Sequence, residues 1–193
     1  MSVCARHWLF ATCVLLSSAA KADVLTFDDL VGTGSVPTNY GGLQFSNWSF
    51  SSVIDPAYPT HSGLTNVFTD VGSPSITNGN ATIHAATPFV LDGAWFSGFS
   101  GVTFQLSLSG ALVHVSSTLP DATLPTGYGP AFLSSGYSGL IDTIVVSGVQ
   151  GFYAMDDLTF HRVAAVPEPE TYALLLAGIG LMARVLRSRR SRT

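Results

Sequence analysis

Val102-Thr103-Phe104-Gln105-Leu106-Ser107-Leu108, then Ser109-Gly110, then Ala111-Leu112-Val113-His114-Val115 is the stretch on which the fold turns. Val102, Phe104, Leu106 and Leu108 fall on one face of an extended chain, and Thr103, Gln105 and Ser107 on the other. Ser-Gly between two such runs predicts a tight hairpin. Working outward, the remaining segments predict strands over Val24 to Leu30, Leu43 to Phe50, Ser75 to Thr77, Ala81 to Ala85, Phe89 to Phe96, Thr143 to Ser147 and Phe152 to His161. In Leu43 to Phe50 the apolar phase changes between Phe45 and Trp48, which predicts a bulge at Ser46-Asn47. No long run in this part of the chain carries a helical period, and Gly, Ser, Thr, Asn and Pro recur between the runs. The expected fold is all-β, a jelly-roll-like β-sandwich of about eight or nine strands.

Charge is sorted along the chain. Of eight basic residues, Arg6 and Lys21 precede the β-rich body, and Arg184, Arg187, Arg189, Arg190 and Arg192 follow it. The body over residues 23–163 keeps Arg162 against ten Asp, a formal −9, and has neither Lys nor Glu. Such a surface repels phosphate backbones, which argues against nucleic acid as a partner. Both cysteines, Cys4 and Cys13, lie ahead of the body, so thiol catalysis and thiolate metal sites are excluded from it.

The two ends read as targeting segments. Met1 to Arg6 is short and basic, Trp8 to Ala20 is apolar, and Ala20-Lys21-Ala22 places small residues at −3 and −1. Residues 1–22 are therefore expected to be a signal peptide with an apolar helix, cut before Asp23. Residues 164–193 form the other end: Val166-Pro167-Glu168-Pro169, an apolar helix over 171–186 and a basic end over 187–193. Pro169 suits the first turn of a helix, and Glu170 there complements the helix dipole. The helix would be about 24 Å long against a hydrocarbon core of roughly 30 Å, which predicts a short transmembrane span aided by Arg184 reaching to the interface. The arginines set this end in the cytoplasm and the body outside.

This arrangement resembles the PEP-CTERM sorting signal of Gram-negative bacteria, in which a Val-Pro-Glu-Pro box precedes a short apolar helix and an arginine-rich end. The resemblance implies recognition and cutting near Val166, Pro167, Glu168 and Pro169 by an exosortase. It also implies an inner-membrane-anchored intermediate, followed by a place at the cell surface or outside the cell, in species that make exopolysaccharide. The body resembles a group of domains found ahead of such tails. They open on a Thr-Phe-Asp-Asp segment, here Thr26 to Asp29, and close on an aromatic strand with Met-Asp-Asp-Leu-Thr-Phe, here Met155 to Phe160.

The two acidic pairs are the leading candidates for chemistry. Simple alternation would place Asp29 on a face with Leu25 and Phe27, and Asp156 on a face with Ala154, Leu158 and Phe160. A buried carboxylate needs a cation or several donors, and the body is short of cations. If the terminal strands lie side by side, Asp28, Asp29, Asp156 and Asp157 are expected to meet around a structural Ca²⁺ ion. The alternative is that they cap turns by accepting backbone N–H bonds. Tyr128 and Tyr137, in Gly-rich loops, are the expected sugar-stacking residues.

Catalytic constellations are thin. There is no Gly-x-Ser-x-Gly or His-Glu-x-x-His, and His84 and His114 read as packing residues. The expected function is thus a non-catalytic, exported surface or matrix protein that binds exopolysaccharide. A purely structural or adhesive matrix component is the alternative, with a secreted hydrolase behind it.

Overall fold

A computed structural model describes residues 22–53, 55–69, 81–121, 127–149, 151–162 and 169–190. The expected strand at Ser75 to Thr77, the signal segment up to Lys21 with its Ala20, and Val166-Pro167-Glu168 lie outside the described residues. Ala22 opens the first strand. The chain divides into two units, 1–162 and 163–193.

Among the described residues of the first unit, twelve antiparallel strands are joined by hydrogen bonds into one sheet. They are β1 (Ala22–Leu25), β2 (Thr33–Ser35), β3 (Asn39–Tyr40), β4 (Leu43–Ser46), β5 (Trp48–Ser51), β6 (Asn66–Thr69), β7 (Ala81–Gly98), β8 (Thr103–Leu108), β9 (Ala111–Val115), β10 (Tyr128–Ser134), β11 (Ile141–Ser147) and β12 (Tyr153–Arg162). The hairpin of β8 and β9 closes through Ser109 and Gly110, both with positive φ (52° and 80°), the backbone of a two-residue hairpin turn. The phase change at Ser46-Asn47 is present. Asn47 has φ 66°, ending β4, which pairs with β7, and starting β5, which pairs with β6.

The two segments expected at Ala81 to Ala85 and Phe89 to Phe96 are a single 18-residue strand. One half of β7 pairs with β4 and β11, the other with β10 and β12. This strand joins both sets of partners into one sheet. The sheet folds over on itself, because Phe96 on β7 packs on Phe104 of β8 at 5.6 Å between ring centres. Phe27, Phe45, Trp48, Phe89 and Tyr153 are buried in the same core cluster.

The terminal strands do lie side by side, with Ala22 opposite His161 and Leu25 opposite Leu158. The alternation expected on them fails. β1 ends at Leu25, and Phe27 adopts φ 61°, a conformation costing an L-residue roughly 1–2 kcal/mol. Burial of its ring, stacked on Tyr40 at 5.4 Å and edge-on to Phe45 at 5.9 Å, offsets that cost. Asp28 and Asp29 consequently sit in an exposed turn, closed by Leu30 N–H donating to Phe27 O, rather than on a core face.

On β12 the core residues are Tyr153 and Met155, then Leu158 and Phe160. The odd step between them is a bulge. Asp156 pairs with Trp95 and Thr159 with Gly93, so two residues of β12 face one of β7, and Asp157 takes φ 47°. β7 changes phase at the same level, from Phe89 and Leu91 to Ala94 and Phe96. Asp156 therefore faces away from the core that Met155 enters, on the opposite side of the sheet.

The second unit contains one helix, α1 (Pro169–Arg190), beginning at the expected proline. Among the described residues no helix is long and apolar enough to cross a membrane, which corrects the expected span over 171–186. The uncharged stretch from Thr171 to Ala183 covers about 20 Å of helix, well short of the roughly 30 Å hydrocarbon core, before Arg184 interrupts it.

Candidate functional site

The segment from Ser52 to Thr65 connects β5 to β6, and the acidic residues singled out above are what hold it. Asp156, 3% exposed, accepts the N–H groups of His61 (2.8 Å) and Ser62 (2.9 Å) on Oδ2, and that of Asp157 (2.8 Å) on Oδ1. Asp157 accepts from Ser62 Oγ at 2.7 Å, and its other oxygen lies 2.5 Å from His61 Nδ1. From the other end of the body, Asp28 Oδ1 accepts the N–H groups of Leu64 (3.0 Å) and Thr65 (3.4 Å). Asp29 accepts from the Tyr40 hydroxyl, whose pKa rises well above the usual phenol range through burial and this carboxylate.

Gly63 makes the clasp possible. Its φ is 49°, and a β-carbon there would stand 1.8 Å from Asp28 Oδ1.

Burial pushes the Asp156 carboxyl up to about 6, desolvation outweighing the N–H bonds that favour the charged form. The arrangement is the turn-capping alternative, extended over a whole loop. The two pairs are held by different partners: Asp156 and Asp157 accept from His61, Ser62 and the Asp157 amide, while Asp28 accepts from Leu64 and Thr65 and Asp29 from Tyr40. Among the described residues no group of three or more His, Cys, Asp or Glu side chains is placed to hold a metal ion. Calorimetry should therefore give melting temperatures within about 1 °C in excess Ca²⁺ and in chelator. A structural site filled at a hundredfold excess would instead add about 2.7 kcal/mol.

His61, whose placement nothing in the sequence signalled, is central. Its ring stacks on Trp95 at 3.6 Å and 10°, and Trp95 in turn meets Phe132 at 5.5 Å. His61, Asp157 and Ser62 are mutually close, and Ser62 Oγ donates to the aspartate rather than to the imidazole.

The same loop walls a cavity of about 250 Å³, lined by Ser51, Val53, Asp55, Tyr58, Asn66 and Phe68 above Ala154 of β12. Tyr58 is anchored by its hydroxyl donating to Gly151 O (2.8 Å), and Asn66 Nδ2 donates to Tyr58 O (2.8 Å).

Tyr128 and Tyr137 lie elsewhere and serve packing. Burial pushes the Tyr128 hydroxyl up to about 12, and it donates to Ser100 O at 2.7 Å. Tyr137 stacks on His114 at 5.3 Å and packs against the core. Tyr58, Phe68 and Tyr153 are the aromatic residues that line the cavity, and nothing in the sequence distinguishes Phe68 and Tyr153 from ordinary core rings.

Compared with known families, residues 165–190 match the PEP-CTERM protein-sorting motif. No curated protein and no solved structure matches the chain. The motif implies export, recognition by an exosortase and a membrane-anchored intermediate, and it covers the second unit without extending into the β body.

Proposed function

We propose that the β body is a non-catalytic binding module, carried to the surface of a Gram-negative cell by its sorting tail, that holds matrix exopolysaccharide. Its folded-over sheet is read as a sandwich of jelly-roll type, a scaffold that presents loops. The observation that supports the reading is the cavity walled by Tyr58, on a loop fixed at several points, and by Phe68 of β6. Aromatic rings offer flat apolar faces to sugars, and an anchored loop loses little entropy on binding. Retention on beads of the isolated matrix polysaccharide tests it. The full chain, purified in detergent, is expected to be retained and to elute with the soluble polysaccharide. Passage straight through the column would refute the reading.

A second reading, a structural component that associates with itself, is supported by a different feature. β9 is an edge strand whose Leu112, Val113 and Val115 are exposed, without the lysine or proline that commonly guards such edges. Concentration-dependent sedimentation together with no retention on the polysaccharide would favour it.

A further inference from the structure

We infer that the cavity between Tyr58 and Phe68 takes a single neutral sugar ring and excludes acidic sugars; this rests on the polysaccharide reading above and gives that site its selectivity. The size comes first. At about 250 Å³ the cavity lies below the roughly 300–1,000 Å³ of sites for drug-sized ligands, so it suits one ring, such as a chain end or a side branch.

The polar groups then set the chemistry. Asn66 is only 8% exposed, and the atom facing the Tyr58 carbonyl has to be its NH₂ group, because two acceptors would repel. That leaves Oδ1 as an acceptor, with no donor to it among the described residues. Asp55 uses one carboxylate oxygen to accept Ala57 N–H at 2.9 Å, and its other oxygen likewise has no donor among the described residues. Two acceptors beside two aromatic rings match a molecule with hydroxyl donors and an apolar face, which describes a pyranose.

The charge sets the exclusion. Asp55 is the one charged residue among the described lining. The body's single base, Arg162, is engaged with Asp23 at 3.4 Å and with Gly41 O. A uronate or a phosphorylated sugar would bring a second anion to Asp55 with no cation to balance it, in a body of formal charge −9.

Saturation-transfer NMR on the full chain in detergent tests this, with methyl glucoside, methyl galactoside and N-acetylglucosamine against glucuronate and galacturonate. At least one neutral sugar is expected to bind saturably, with the uronates at least about tenfold weaker. Asp55→Asn keeps the turn-forming side chain while removing the charge, and should narrow that gap to about threefold or less. Asn66→Ser should weaken the neutral sugar, and its melting curve, read in parallel, shows whether the fold is kept. Uronates binding as well as neutral sugars, or a gap unchanged in Asp55→Asn, would overturn the inference while polysaccharide retention stood. Loss of retention together with all sugar binding would overturn both.

Discussion

Replacing Asp156 with alanine is expected to destabilise the body by about 3 kcal/mol at neutral pH, the largest effect of any single clasp substitution. Three backbone N–H groups, those of His61, Ser62 and Asp157, lose their acceptor at once. Leaving a buried donor unmet costs about 1–3 kcal/mol, partly recovered where water reaches the opened loop. Asp156→Asn should fall between the two, since its one carbonyl oxygen can serve the His61 and Ser62 amides while its NH₂ faces the Asp157 amide. Amide exchange localises the damage: His61 and Ser62 should lose protection first, with the hairpin of β8 and β9 keeping it.

The pH dependence gives a second handle. The folded pKa of Asp156, about 6, lies above the ordinary aspartate value of 3.8, so the native state binds the extra proton between those values. The proton-linked part of its contribution is thus fully present below about pH 3.8 and is lost as pH rises through 6, leaving the hydrogen-bonding part at neutral pH. Chemical denaturation should accordingly show a larger cost for Asp156→Ala at pH 4.5 than at pH 7.5, by roughly 1–2 kcal/mol. A cost that grows with rising pH would contradict the assignment.

A substitution in the sorting box is expected to have the largest effect on location. Pro167 and Pro169 bias the preceding residues toward extended backbone, and Glu168 supplies the one carboxylate between them. Glu168→Ala combined with Pro167→Ala should reduce release to the surface by more than about tenfold, as loss of contacts made in the cleavage transition state does. The melting temperature of the body should stay the same, because the box belongs to the second unit. Immunoblots of membrane and surface fractions read both arms: uncleaved chain accumulates in the membrane, and unchanged release would show that the box is not read.

Local patterns carried much of the fold. The β8 and β9 hairpin and the break at Asn47 were legible because a period of two and its phase changes are properties of neighbouring residues. The positive φ at Phe27 and Asp157 was not. A phenylalanine accepts left-handed backbone only when packing around it compensates, here from Tyr40 and Phe45, while the turn at Asp157 belongs to the bulge against β7. The strict alternation assumed at both acidic pairs failed for this reason.

The importance of those aspartates was readable from the shortage of cations, while their partners were not. The donors that satisfy them are backbone N–H groups of residues 61–65, which have no signature in the side-chain alphabet. Gly63, whose missing β-carbon admits Asp28, was the only local clue. The expected span over 171–186 relied on Arg184 reaching to the interface to make up its short length, and no helix among the described residues is long and apolar enough to cross a membrane.

Mass spectrometry of the protein recovered from the outer surface of cells tests the sorting claim most directly. The expected species begins at Asp23 and ends close to the 166–169 box, so that neither the leading apolar segment nor α1 accompanies the β body. Recovery of an intact chain from Met1 to Thr193, soluble inside the cell, would contradict it.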